Sequence, residues 1–177
     1  MMAVIWKVDP HHSEVQFKVK HLVISTVTGQ FNTFDGTMEA PNEQDFANAK
    51  VNFSVDAASV DTHMKDRDEH LRSPDFFDAA TYPVLLFTST SFNKKDEEAY
   101  ELIGNLRIKE HTERVTFQVN LGGVAQDAYG NVKAGFEATG KISRKAFGLK
   151  WNSVTEAGAV VVGDEVKMML NLQFIKQ

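Results

Sequence analysis

The sequence predicts an all-β fold: a closed antiparallel barrel of about eight strands with one short helical cap segment around residues 62–78. Three observations predict it. Apolar and polar residues alternate through most of the chain with the period of a half-buried strand. The alternating runs are bounded by Gly, Asn and Asp, the residues of short turns. Residues 61–78 abandon the alternation and fill with charge instead.

Taken in order, residues 1–9 run almost directly into a strand pattern. In residues 13–20, Val15, Phe17 and Val19 share one face, and Gln16, Lys18 and Lys20 share the other. A polar connection over residues 42–48 leads to Val51, Phe53 and Val55. Beyond the charged stretch the pattern returns in Leu85 and Phe87, in Leu102, Leu106 and Ile108, and in Val115, Phe117, Val119 and Leu121. Phe136, Ala138 and Ile142 follow, and Val166, Met168, Leu170, Leu172 and Phe174 form the last run. Turn signals stand at Asn42, Asn93, Gly122-Gly123, Gly130-Asn131 and Gly163-Asp164, the last two pairs suited to positive φ. Many strands joined by short turns give a meander, and closing it removes the exposed edges. Such a barrel holds packed side chains or one small ligand. No repeat, low-complexity tract or linker divides the 177 residues, so residues 1–177 read as a single barrel domain.

Composition excludes several functions. A net charge of -5 and scattered Lys and Arg argue against a nucleic-acid partner. Lys141, Arg144, Lys145 and Lys150 form a loose cluster that reads as solvated surface. The absence of cysteine excludes disulfides, thiolate catalysis and cysteine-ligated zinc. No window approaches the apolar length of a membrane span, so no integral membrane segment is expected. The start carries neither a basic n-region nor a long apolar h-region. The expected location is the cytoplasm, with a periplasmic or secreted one only if a leader has been removed.

The charged segment offers chemistry or closure. Met64 and Leu71 are seven apart, which makes one narrow helix edge apolar. Ser73-Pro74-Asp75 supplies an N-cap, a proline at the first helical position and an acid at the second, with Phe76-Phe77 in the short turn that follows. A helix and a helical turn resting on a barrel read as an end plug, with Met64, Leu71, Phe76 and Phe77 toward the barrel and the charges toward water. His63 and His70 on one helix stand about 10 Å apart along its axis, too far to share a metal ion, so no metal site is expected. Acids such as Asp66 pair with neighbouring charges on the helix surface. His11-His12-Ser13 lacks a nucleophile elbow, and adjacent strand residues point to opposite faces. Gly122-Gly123 lacks the rest of a phosphate loop, and no cofactor is expected. Of the 13 phenylalanines, Phe17, Phe53, Phe87, Phe117, Phe136 and Phe174 fall on the alternating apolar face. They make either a packed aromatic core or a tunnel around a long apolar ligand, and periodicity leaves both open.

A set of linked motifs goes further. Trp6-Lys7-Val8-Asp9 is followed by His12-Ser13, Phe17 and His21, then by Gly29-Gln30-Phe31 and Phe34-Asp35-Gly36. The longest run joins Ser59-Val60-Asp61-Thr62, Arg67-Asp68, His70-Leu71, Asp75-Phe76-Phe77-Asp78 and Tyr82-Pro83. Gly104-Asn105-Leu106, Arg144 with Phe147-Gly148, and Val162-Gly163-Asp164-Glu165-Val166 complete it. In this order and spacing the chain resembles, over essentially its whole length, the YceI-like family, also called the polyisoprenoid-binding or lipid-binding YceI domain. One departure is Glu110, where the family usually places a glycine after Lys109.

The resemblance implies an extended, lipocalin-like eight-stranded antiparallel barrel with a long apolar tunnel. It also implies binding of isoprenoid or fatty-acyl molecules, often as a homodimer, and it does not imply catalysis. On this reading the chain is a non-enzymatic carrier or store for a long-chain apolar molecule: a polyisoprenoid, a prenylated quinone or a fatty-acyl lipid. Strand parity nominates Phe17, Val19, Phe31, Phe87, Leu102, Leu106, Phe117, Val119, Phe136, Ala138 and Phe174 for the apolar tail. His21, Arg67 and Asp61 are the candidates for a polar head at the mouth. The alternative is a lipid-modifying enzyme using the histidines and acids of residues 61–78.

Overall fold

In the computed structural model, which describes residues 3–22, 24–151 and 162–177, the strands form one antiparallel sheet that closes on itself. They are β1 (Val4–Val8), β2 (Glu14–His21), β3 (Ser25–Phe31), β4 (Phe34–Ala40), β5 (Lys50–Asp56) and β6 (Val60–Asp61). Then come β7 (Val84–Lys94), β8 (Ala99–Ile108), β9 (His111–Gln126), β10 (Val132–Ser143) and β11 (Val162–Lys176). Helix α1 (Lys65–Arg72) separates β6 from β7 in the chain. The run expected over residues 1–9 begins at Val4, and residues 1 and 2 lie outside the described part.

These strands make eight staves, because the first six join in pairs. β1 and β2 both run along β11, Val8 opposite Phe174 and Val15 opposite Leu170. Pro10, which has no N–H for a ladder, starts the 3-10 turn Pro10–His12 that parts them. The seam is carried across this break: Asp9 N donates to the Gln173 carbonyl at 2.7 Å, and Gln173 N donates to Ser13 Oγ at 2.9 Å. β3 and β4 are interrupted only by Asn32 and Thr33 and pair with β2 and β1. β5 and β6 are parted by the turn Ala57–Ser59 and pair with β4 and β3. With β7 to β11 these three broken staves close the eight-stranded barrel, and β1 against β11 is the seam.

Several glycine and asparagine signals serve bulges and strands rather than turns. Gly122-Gly123 lies inside β9, where the register slips against Gly135 and Phe136 and Gly123 takes φ +148°. Gly163-Asp164 lies inside β11, where the register shifts between Val162 and Val166, and Asn93 lies within β7. Gly130 does turn the chain, at φ +85°. The departure at Glu110 is absorbed because Lys109 takes the positive φ (+59°) in the two-residue connection between β8 and β9.

The connection at residues 42–48 does more than link strands. Asn42 Oδ1 accepts from Gln44 N and Asp45 N, at 2.9 and 2.6 Å, as a polar turn should. That turn delivers Phe46 into the barrel, where it is 0% exposed. Its ring packs 5.6 Å from Trp6 and 5.0 Å from Phe136, which in turn lies 6.0 Å from Phe174. Tyr100 stacks on Phe92 at 4.9 Å and presents its hydroxyl to Phe46 N. One end of the barrel is thereby a solid aromatic core.

Candidate functional site

Above that core the barrel is hollow. A cavity of about 640 Å³ runs between the inward faces of the staves, with almost wholly apolar walls. Along β2 its lining extends from Val15 to His21, on the order of 20 Å at the rise of a strand. The volume spread over that length leaves a bore of roughly 30 Å², a slot one chain wide. The choice between packed core and tunnel therefore resolves by depth. The barrel is both.

The residues nominated from sequence divide accordingly. Phe17, Val19, Phe31, Phe87, Leu102, Leu106, Phe117 and Ala138 line the cavity, with His21 and Arg67 toward its mouth. Phe136 and Phe174 lie instead in the aromatic core, and Val119, paired with Tyr100, is buried beside them. Asp61 stands outside the cavity lining, accepting from Asn32 Nδ2 at 3.2 Å and from His63 N at 2.9 Å. These bonds hold its carboxyl below the ordinary range. The lining also takes Val166, Met168, Leu170 and Leu172, whose parity was already visible in the sequence. Leu149 and Trp151 join it from a connection that carries no periodic signal.

The charged segment covers the open end, with corrections to the sequence reading. The helix begins at Lys65, after Met64, so His63 lies outside it at φ +63° and the two histidines do not share a helix face. The charges do not all face water. Asp68 is 7% exposed and accepts from Thr62 N at 2.8 Å and from Thr62 Oγ1 at 2.5 Å. Arg67 donates from Nε to Thr62 Oγ1 at 2.7 Å and from Nη2 to the Thr62 carbonyl at 2.8 Å. A carboxylate taken from water needs such partners, and this one uses them to stitch α1 to the strand before it. Arg72 adds bonds to the Ala58 and Val60 carbonyls. Met64 lines the rim but is 51% exposed, whereas Leu71, Phe76 and Phe77 turn inward. Phe77 meets Phe31 edge-on at 5.7 Å. Ser73 ends α1 and also caps the next turn, accepting from Asp75 N at 3.3 Å.

His70 joins this cap to the opposite lip. Its Nε2 lies 2.9 Å from Asp75 Oδ2, and its ring stands edge-on to Phe76 at 5.1 Å and to Trp151 at 4.6 Å. The opposite lip is held by Arg144, which is 4% exposed rather than part of a solvated cluster. Its guanidinium donates to four carbonyls: Gly163 at 2.7 Å, Leu149 at 2.8 Å, and Trp151 and Val162 at 3.2 Å. Burial lowers its pKa from the ordinary arginine value, and nearby Asp164 works against that. An arginine nonetheless keeps its proton. The Ser143 hydroxyl at 2.7 Å and the Lys145 amide at 3.0 Å hold the Asp164 carboxyl below the usual range, burial opposing them.

Ser13 is engaged with Gln173 on the seam, and His12 Nδ1 lies 2.6 Å from Asp9 Oδ2. Among the described residues no three His, Asp or Glu side chains gather as metal ligands. Nor, among them, is any helix long and apolar enough to cross a membrane.

A closed eight-stranded antiparallel barrel with an apolar interior and a polar, helix-covered mouth is a lipocalin-like barrel. Within that class the chain belongs to the YceI-like family, whose domain matches residues 6–174. It is similar to Protein YceI of Shigella flexneri, at 38% identity over 178 residues, 99% of this chain and 89% of that protein. Burkholderia cenocepacia BcnA superposes with a TM-score of 0.79 at 27% identity, covering 94% of this chain and 98% of that one. A polyisoprenoid binding domain from Saccharophagus degradans, implicated in plant cell wall breakdown, superposes at 0.69. That match covers 97% of this chain and 98% of the other, and at 15% identity it shares the fold alone.

Proposed function

We propose that the protein binds one long-chain apolar molecule inside the barrel, as a carrier or store, and performs no chemistry on it. The observation that carries this reading is the cavity itself, a narrow slot whose walls are almost wholly apolar. A polar substrate would lose its hydrogen bonds to water there and find few replacements. An apolar chain gains about 0.8 kcal/mol for each methylene drawn in. Association costs several kcal/mol, so a chain on the order of ten carbons or longer is needed to bind well. Polyisoprenoids, prenylated quinones and fatty-acyl lipids meet that requirement. The Saccharophagus degradans polyisoprenoid binding domain has this same fold. His21 and Arg67, which line the cavity, would meet a polar end of the ligand.

Titration with a fluorescent polyene such as cis-parinaric acid tests this. The expected result is saturable enhancement at one probe per chain, with the probe recovered chemically unchanged. Absence of saturable binding would overturn the reading. Conversion of a bound lipid, abolished by His70→Ala with uptake retained, would establish the rival enzyme reading instead.

A further inference from the structure

Four phenylalanines of the cavity wall lie against glycines of the neighbouring stave. Phe17 is the direct cross-strand partner of Gly29, Phe53 of Gly36 and Phe117 of Gly140. Phe87 lies diagonally beside Gly104. In each pair the ring occupies the space that a side chain on the glycine would fill. A Cβ on Gly29 would stand 2.7 Å from Phe17 Cε1 and 2.9 Å from Cε2, and nearer still to Cζ. On Gly36 it would overlap the ring of Phe53 in the same way.

Glycine inside a strand weakens it, through backbone entropy and the missing side chain, and it marks a place where another group comes close. Here the group is an aromatic ring laid along the wall. Directly opposed side chains have Cβ atoms about 4.5–5.5 Å apart, so any larger partner would tip the ring up into the lumen. The pattern recurs around the barrel. One row of paired residues reads Gly29, Phe17, Met168, Gly140, Phe117, with each ring beside a glycine.

We propose that these glycines set the bore of the tunnel and so determine the width of chain it accepts, admitting methyl-branched chains as well as straight ones. This rests on the binding reading above and sharpens it. A methyl branch adds width at intervals along a chain, whereas a straight chain passes a narrower bore. Lifting one ring off its glycine therefore penalises the branched ligand selectively. One methylene too many in an apolar pocket lowers affinity about tenfold or more.

The test is displacement of cis-parinaric acid by phytanol, a methyl-branched alcohol, and by arachidyl alcohol, its straight-chain isomer. Gly29→Ala is expected to weaken phytanol about tenfold or more and arachidyl alcohol by no more than about threefold. Adding Phe17→Leu to Gly29→Ala, which gives the lifted side chain room, should restore phytanol to within about threefold of wild type. Gly140→Ala is the milder variant, because its Cβ would meet Phe117 Cδ1 at 3.0 Å and the Thr116 carbonyl oxygen at 3.1 Å, neither as close as at Gly29 or Gly104, and it decides the matter if Gly29→Ala does not fold. Gly104→Ala is unsuitable, since its Cβ would also stand 2.5 Å from the Thr88 carbonyl oxygen. Gly135→Ala is the control: a Cβ there meets nothing within 4 Å, and both alcohols should bind as to wild type. Equal weakening of both alcohols, or none, in a folded variant overturns the inference alone. A wild-type protein that takes up neither alcohol overturns the binding reading and this inference together.

Discussion

Alanine at Phe46 is expected to lower the unfolding free energy by about 3–5 kcal/mol, the range for a large aromatic removed from a core. Phe46 is fully buried and joins Trp6 on one side to Phe136 on the other. Its loss leaves a void among aromatic rings held by a closed sheet, and such a frame relaxes only partly. Urea unfolding should show a lower midpoint with an unchanged slope, the sign of lost stability rather than an altered unfolded state. Leucine at the same position should cost less, because much of the volume stays filled. A loss below about 1 kcal/mol would mean that residues 42–48 merely connect strands and that the closed end is held by other contacts.

Arg144→Ala is the second large effect, and it acts at the other end. The substitution removes the buried guanidinium that donates to the carbonyls of Leu149, Trp151, Val162 and Gly163. Hydrogen bonds to a charged donor contribute about 1.5–3 kcal/mol each when net effects are measured. They act together here, so the expected loss is about 3 kcal/mol or more. Lysine should recover little of it, since an ammonium on a flexible stem cannot fork to four acceptors. Because these carbonyls flank the lip opposite α1, release of a bound polyene should also quicken. Wild-type stability and release rate in Arg144→Lys would show that charge alone, without the fork, holds the lip.

The barrel was legible in the sequence because strand parity is local. The alternation of Val15, Phe17 and Val19, and of Val166 through Phe174, assigns each side chain to a face without any knowledge of its partner strand. Depth along the barrel is not local. Phe117 and Phe136 both face inward, yet one lines the cavity and the other packs against Phe46. That difference comes from a polar connection whose own sequence shows no core signal. Glycines were ambiguous for a related reason. The same residue that permits a turn also permits a bulge, as Gly123 does, or seats a ring, as Gly29 does, and only the partner strand shows which.

Charge misled where its partners were backbone or a single threonine. Asp68 and Arg144 look solvated in a list of residues. Thr62 and four carbonyls, which hold them inside, leave no pattern in sequence. The helix boundary was similarly hidden, since the positive φ of His63 ends any helical reading one residue before Met64.

On the binding reading, the hollow part of the barrel takes up one apolar chain. Native mass spectrometry after incubation with a polyprenyl alcohol tests it most directly. The expected result is a single adduct of one chain per protein, retained through desalting and lost on unfolding. A folded protein seen only at its unliganded mass, across a series of polyprenyl and acyl chains, would contradict it.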